Sequence, residues 1–214
     1  MAIFVSSSAP SPVPSITDYA GLQSAIIGWS HRSGDTDFKN SIPDFITLTE
    51  ATMQLTFKLL EFEEYLSIPV TNGLGYVPAD YSGARSALWD GTTKYPLQYI
   101  TPELYDARQN ISSDVPGFFT MSGSALRVSP SATGSLVLTY FGKFIPLSDT
   151  NTSNSILLNT PACYLYGALH HAYNWLQDDE QMKKYGVLFN AAMDDVIGQD
   201  NARKFAGNLQ VRAR

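Results

Sequence analysis

Two grammars divide this sequence. Between Ile68 and Phe144 the apolar residues come in short β-branched or aromatic runs bounded by Gly, Pro and Asp. On either side of that stretch they recur at steps of three and four. Side chains share a face every second residue in a strand and every third or fourth in a helix, so the middle reads as strands and the flanks as helices. That order predicts an α+β fold, with the first and last thirds of the chain packed on each other.

Four helices are expected. The first has Ser15 as cap, with Asp18 three residues on, and presents Ile16, Tyr19, Leu22, Ile26 and Trp29 before ending near His31–Gly34. The second has Ser41 as cap and Pro43 in its first turn, with Asp44 at the positive helix end. Its Phe45, Leu48, Thr52, Leu55, Leu59, Phe62 and Leu66 form a heptad-like seam that needs a facing helix. Glu61, Glu63 and Glu64 crowd its last turns, as a solvated face or as a contact for a basic partner. The third starts at Thr160-Pro161 and runs to Leu176; the fourth is capped by Asp178 with Gln181, and Gly198 ends or kinks it. Two αα-hairpins closing into a four-helix bundle would bury all four apolar faces.

The strands are expected at Ile68–Asn72, Gly75–Pro78, Ala84–Trp89 and Tyr95–Ile100, with a short helix from Thr101-Pro102. Gly117–Met121 and Ala125–Val128 read as a hairpin across Ser122-Gly123-Ser124. Ser135–Phe144 is apolar on both faces and belongs at the centre of a sheet. The expected organisation is an extended N-terminal arm (1–14), helices one and two (15–66), an inserted antiparallel β-rich lobe (67–155), helices three and four (156–206) and an extended C-terminal arm (207–214). The first arm, Ser- and Pro-rich and uncharged from Ala2 to Pro14, is either plain disorder or a segment that lies on a neighbouring chain.

The chain's 214 residues suit one body with an inserted subdomain. Only 16% are charged, with 14 Lys+Arg against 20 Asp+Glu and a net charge of −6. That balance argues against an autonomous duplex-DNA binder, which needs a basic footprint. The single cysteine, Cys163, argues for a reducing compartment or indifference to redox. Met1–Ser15 lacks the basic and apolar regions of a secretory signal, and no stretch approaches the ~20 apolar residues of a membrane helix.

Catalytic chemistry finds little support. His170 and His171 are adjacent on a helix, so they point about 100° apart and cannot share a metal face; His31 is remote in sequence. Cys163 and His170 are seven residues apart, about 10 Å along a helix, too far for a hydrogen bond. Asp178, Asp179 and Glu180 read as cap and dipole partners between two helices. There is no phosphate loop and no nucleophile elbow, and nothing calls for a metal or cofactor. Asn110-Ile111-Ser112 matches a glycosylation acceptor formally, which carries no weight without a secretion signal. The tail is different. Arg203, Lys204, Arg212 and Arg214 concentrate positive charge in an acidic chain, and Asn208–Arg212 alternates polar and apolar residues as an added strand would. It reads either as a docking arm or as a solvated end.

Several segments together resemble the head-to-tail adaptor (connector) proteins of short-tailed bacteriophages. They are Trp29 with Arg32, then Ile42-Pro43-Asp44-Phe45-Ile46 with Leu48 and Glu50; Tyr76–Tyr81; Leu97–Leu104; Leu136–Phe141; and Ile145–Ser148. Asn159-Thr160-Pro161, Tyr164–Leu169 and Leu176–Glu180 follow, and Gly207–Arg212 closes the set. The resemblance runs in order from Tyr19 onward. It marks Trp29, Pro43, Phe45, Glu50, Pro161, Tyr164, Tyr166, Gly167, Asp178 and Asp179 as signature structural residues. It implies a virion structural protein, made in the host cytoplasm and without catalytic activity. Copies would form a ring, of twelve, under the portal protein, joining it to tail proteins and continuing the DNA channel without sequence-specific binding. Leu209, Gln210, Val211, Arg212 and Arg214 would be the portal-docking arm. No membrane partner is implied. The competing readings are a tail stopper or other distal tail protein, and a tail-associated hydrolase.

Overall fold

The computed structural model describes residues 16–108 and 115–204. In chain order the elements are α1 (Tyr19–Ser30), α2 (Thr36–Thr56), β1 (Glu63–Val70), β2 (Leu74–Tyr76), β3 (Tyr81–Asp90), β4 (Lys94–Pro96), β5 (Gln98–Tyr99) and α3 (Pro102–Ala107). Then come β6 (Phe118–Ser122), β7 (Ala125–Ser129), β8 (Gly134–Gly142), α4 (Ser155–Asn159), α5 (Pro161–Trp175) and α6 (Asp179–Lys204). The described residues divide into two compact units: residues 16–53 with 145–199, and residues 54–108 and 115–144 with 200–204.

The first unit is helical. The fold is α+β, yet the helices do not form the expected four-helix bundle. A bundle asks each helix to bury one comparable stripe. Here α5 buries Cys163, Tyr164, Leu165, Gly167, Ala168, Leu169 and Ala172, which occupy most of its circumference, and α1 and α4 both pack on it. The corresponding part of α6 buries a narrower set, Tyr185, Phe189, Ala192 and Met193. α2 buries Phe38, Ile42, Phe45, Ile46, Thr49, Glu50 and Met53. Its expected seam is therefore rotated outward: Leu48 is 50% and Leu55 is 84% exposed. The stripe that α2 does bury is thus not the one on which the bundle was expected to close.

Helix ends also differ from the sequence reading. Asp18 is itself the cap of α1, its Oδ1 accepting from Gly21 N at 2.7 Å, and His31 ends the helix in the left-handed conformation (φ 57°). α2 starts at Thr36, where Asp35 Oδ1 accepts from Phe38 N at 3.0 Å, so Pro43 lies inside the helix. α2 stops at Thr56; Leu59, Phe62 and Leu66 fall in a linker, a 3-10 turn (Leu60–Phe62) and β1. α6 runs through Gly198 to Lys204 without a break. A glycine inside a long helix costs only about 1 kcal/mol, which the ordered neighbours of α6 outweigh.

The second unit packs two four-stranded sheets, ordered β1-β8-β3-β4 and β2-β7-β6-β5. β8 pairs on both sides, with β1 and β3, as its two apolar faces predict. The expected strand Tyr95–Ile100 divides into β4 and β5, one in each sheet. The lobe is not wholly antiparallel, since β5 pairs parallel to β6. Both sheets contribute to one apolar core that includes Ile68, Trp89, Phe119, Leu126, Leu136 and Leu138. Gly134 is required there: a Cβ on it would sit 2.7 Å from Trp89 Cζ2. α6 ends in this unit, where Asp200 Oδ1 accepts from Leu60 N at 3.0 Å and Lys204 pairs with Asp200 at 2.7 Å.

Candidate functional site

The helical unit brings together most of the residues that the sequence marked. Glu50 is 3% exposed on α2. Its Oε1 accepts from Leu147 N at 2.7 Å and from the Tyr164 hydroxyl at 2.9 Å. The Tyr164 oxygen in turn accepts from Asn154 Nδ2 at 2.6 Å, and Asn154 Oδ1 caps α4 through Leu157 N at 2.9 Å. One carboxylate thus ties α2 to the segment before α4 and to α5. Burial pushes the Glu50 carboxyl above the ordinary carboxylate range, against the opposing pull of the Leu147 N–H and the Tyr164 hydroxyl. Burial, reinforced by the negative charge of Glu50, also raises the Tyr164 phenol.

Around this node the helices approach closely. Gly167 of α5 faces α2: a Cβ there would overlap Thr49 Cγ2 and stand 3.0 Å from Phe189. Thr49 returns its hydroxyl to the Phe45 carbonyl at 2.8 Å, so it is buried without an orphan donor. Phe45 packs with Phe38 and Trp175, ring centroids 5.8 and 6.2 Å away, and Trp29 lies 6.0 Å from Tyr166. Tyr166 is 6.3 Å from Tyr185, which stacks at 5.3 Å on Tyr173. Pro161 opens α5 after Thr160, whose side chain makes no capping bond. Asp178 Oδ1 accepts from Gln181 N at 3.1 Å, and Asp179 lies in the first turn of α6. Pro43 stands apart from the network, in the interior of α2.

The reactive side chains of this unit are turned to structural ends. Cys163 is fully buried, and burial together with the Asp195 charge pushes its thiol up to about 12. His170 Nδ1 bonds the Met182 carbonyl at 2.9 Å, and its ring lies 5.1 Å from that of His171. Burial, and then the neighbouring His170, lowers the His171 imidazole. No three His, Cys, Asp or Glu side chains among the described residues gather as a metal site requires.

Sequence reasoning missed Asn154 and Thr49. Asn154 carried a signal, as a capping residue just before the apolar run Ile156–Leu158. The docking arm, Leu209, Gln210, Val211, Arg212 and Arg214, lies outside the described residues, as do the N-terminal arm and Asn110-Ile111-Ser112. A family model described as SU10 adaptor protein matches residues 17–212. No curated protein matches the chain.

Proposed function

Since the chain belongs to the SU10 adaptor protein family, which is a family of phage head–tail adaptors, we propose that it forms a ring of twelve copies beneath the portal. The ring joins the portal to the tail proteins and continues the DNA channel. The family is a structural one, and the protein acts in the virion by holding partners together rather than by catalysis. The carrying observation is the extent of the match, 17–212, which takes in both units and all but two residues of the tail.

Physical features support the reading. A ring subunit makes heterologous contacts that must close, and they need apolar surface on the free chain. Leu48 on α2, Val187 on α6, and Ile145 and Leu158 are all more than 49% exposed. The net charge of −6 suits a channel component past which DNA slides, since a basic lining would hold phosphate tightly. Of the signature residues, Glu50, Tyr164, Gly167 and Phe45 are interior and set the body, whereas Trp29, Pro43, Asp178 and Asp179 are exposed. Leu209, Gln210, Val211, Arg212 and Arg214 dock on the portal.

Co-sedimentation of the purified chain with its cognate portal rings tests this. Saturation at one copy per portal subunit is expected, with binding reduced at least tenfold on deletion of Gln210–Arg214. An intact portal that binds no chain would move the protein to a distal position in the tail.

A further inference from the structure

We propose that Asn72 is a site of spontaneous deamidation, and that the loop Ser131–Thr133 holds the reaction in check in the folded chain. Asn72 is the only asparagine in the sequence followed by glycine. With no Cβ on Gly73, no side chain shields the backbone nitrogen that must attack. That nitrogen bonds to Cγ of the Asn72 side chain, the bond from Cγ to Nδ2 breaks, and ammonia leaves with the proton that the Gly73 nitrogen gives up. The cyclic imide then takes up water at either of its carbonyls, leaving aspartate or isoaspartate at position 72. Water is the only co-reactant.

The pair sits at the tip of the hairpin that joins β1 to β2. Thr71 N donates to the Leu74 carbonyl at 2.9 Å and Leu74 N to the Thr71 carbonyl at 3.0 Å. The φ angles of 51° at Asn72 and 78° at Gly73 are the two positive values of a type I′ turn. Asn72 is exposed, and with Tyr105, Ser129 and Ser131 it lines a polar crevice of about 250 Å³. Water therefore reaches the side chain that has to react.

What the fold withholds is the nucleophile. Gly73 N donates to the Ala132 carbonyl at 2.8 Å, and the Gly73 carbonyl accepts from Val128 N at 2.9 Å. Asn72 N donates to Thr133 Oγ1 at 3.0 Å. Ser131 closes over the turn: a Cβ on Gly73 would sit 2.8 Å from its Oγ. An amide proton held by a carbonyl is not free to leave, and a backbone bonded on both sides cannot swing its nitrogen onto Cγ. The reaction therefore waits for these bonds to open, a local event that costs less than unfolding the chain. Modification is also one-way for the turn. Isoaspartate lengthens the main chain by one carbon and draws Gly73 out of register with Ala132 and Val128. The proposal concerns the chain itself and does not depend on the portal.

Mass spectrometry of the full-length chain tests it, because trypsin releases Leu59–Arg85 with Asn72 as its only side-chain amide. At mildly alkaline pH, that peptide should gain one mass unit at least tenfold faster in a chain held in guanidinium than in the native chain. Thr133→Val removes the acceptor of the Asn72 N–H and keeps the side chain's shape. It should speed the native reaction at least threefold and leave the rate in guanidinium unchanged. Should that variant misfold, hydrogen exchange of the unmodified chain gives a second readout. The Gly73 amide should be protected from exchange by the factor by which folding slows deamidation, to within about threefold. No mass gain in guanidinium, a native rate equal to the unfolded one, an unchanged native rate in a folded Thr133→Val chain, or a Gly73 amide without protection would each overturn the proposal.

Discussion

Glu50 shows how one side chain can hold a helical unit together and still be electrostatically strained. Alanine at this position would leave the Leu147 N–H and the Tyr164 hydroxyl unpaired in the interior and open a cavity, a loss of roughly 3–4 kcal/mol. Glutamine keeps an oxygen for both donors and should retain most of the stability. The pH dependence separates the two effects. Because the folded carboxyl titrates above its unfolded value, the fold favours the protonated form. That contribution is fully present below an ordinary glutamate pKa of about 4.3 and is lost as pH rises through the folded value. The melting temperature of Glu50→Gln relative to the unmodified chain should therefore be highest at neutral pH and fall as the pH approaches 4.5. A difference that stays constant across that range in thermal scans would show that the carboxyl is not strained.

At the scale of elements, α2 separates what the sequence made legible from what it concealed. Phe45 lies on both the seam read from the sequence and the face that is buried, so the two phases of the helix agree there and diverge after it. One continues through Leu48, Thr52 and Leu55, the other through Thr49 and Met53. The apolar pattern favours the first, and the structure has the second because two polar residues can be buried: Glu50 finds Tyr164, 114 positions away, and Thr49 finds the space that Gly167 leaves. A local pattern cannot register partners that distant. Strand ends were legible where their punctuation is local, as at Asp90 and Gly123, whereas the break after Pro96, where the chain passes from one sheet to the other, was read through. Glu50, Tyr164 and Gly167 were marked in the sequence only by resemblance, and that Glu50 meets Tyr164 and Gly167 meets Thr49 came only from the structure. The phase is testable by urea denaturation. Leu55→Lys should shift stability by no more than about 0.5 kcal/mol, and Met53→Ala, at a site with no exposure, should cost about 2–4 kcal/mol. The reverse ranking would restore the seam.

Across the whole molecule, each unit is assembled from stretches of chain far apart in sequence, residues 16–53 with 145–199 in one and residues 54–108 and 115–144 with 200–204 in the other. Tyr164 and Glu50 meet across most of the first span, and Leu60 and Asp200 across most of the second. Contacts of that sequence separation form late in a folding chain and are lost together when it opens. Cys163 sits inside the first of these assemblies, fully buried and with its thiol held protonated. A thiol reagent should therefore find no reactive sulfur in the native chain and one equivalent per chain in guanidinium, since the sequence has a single cysteine. A full equivalent reacting within minutes under native conditions would contradict that burial. The protein thus carries its own label for opening: the rate at which Cys163 becomes titratable is a clock for the helical unit that needs no dye, no tag and no substitution.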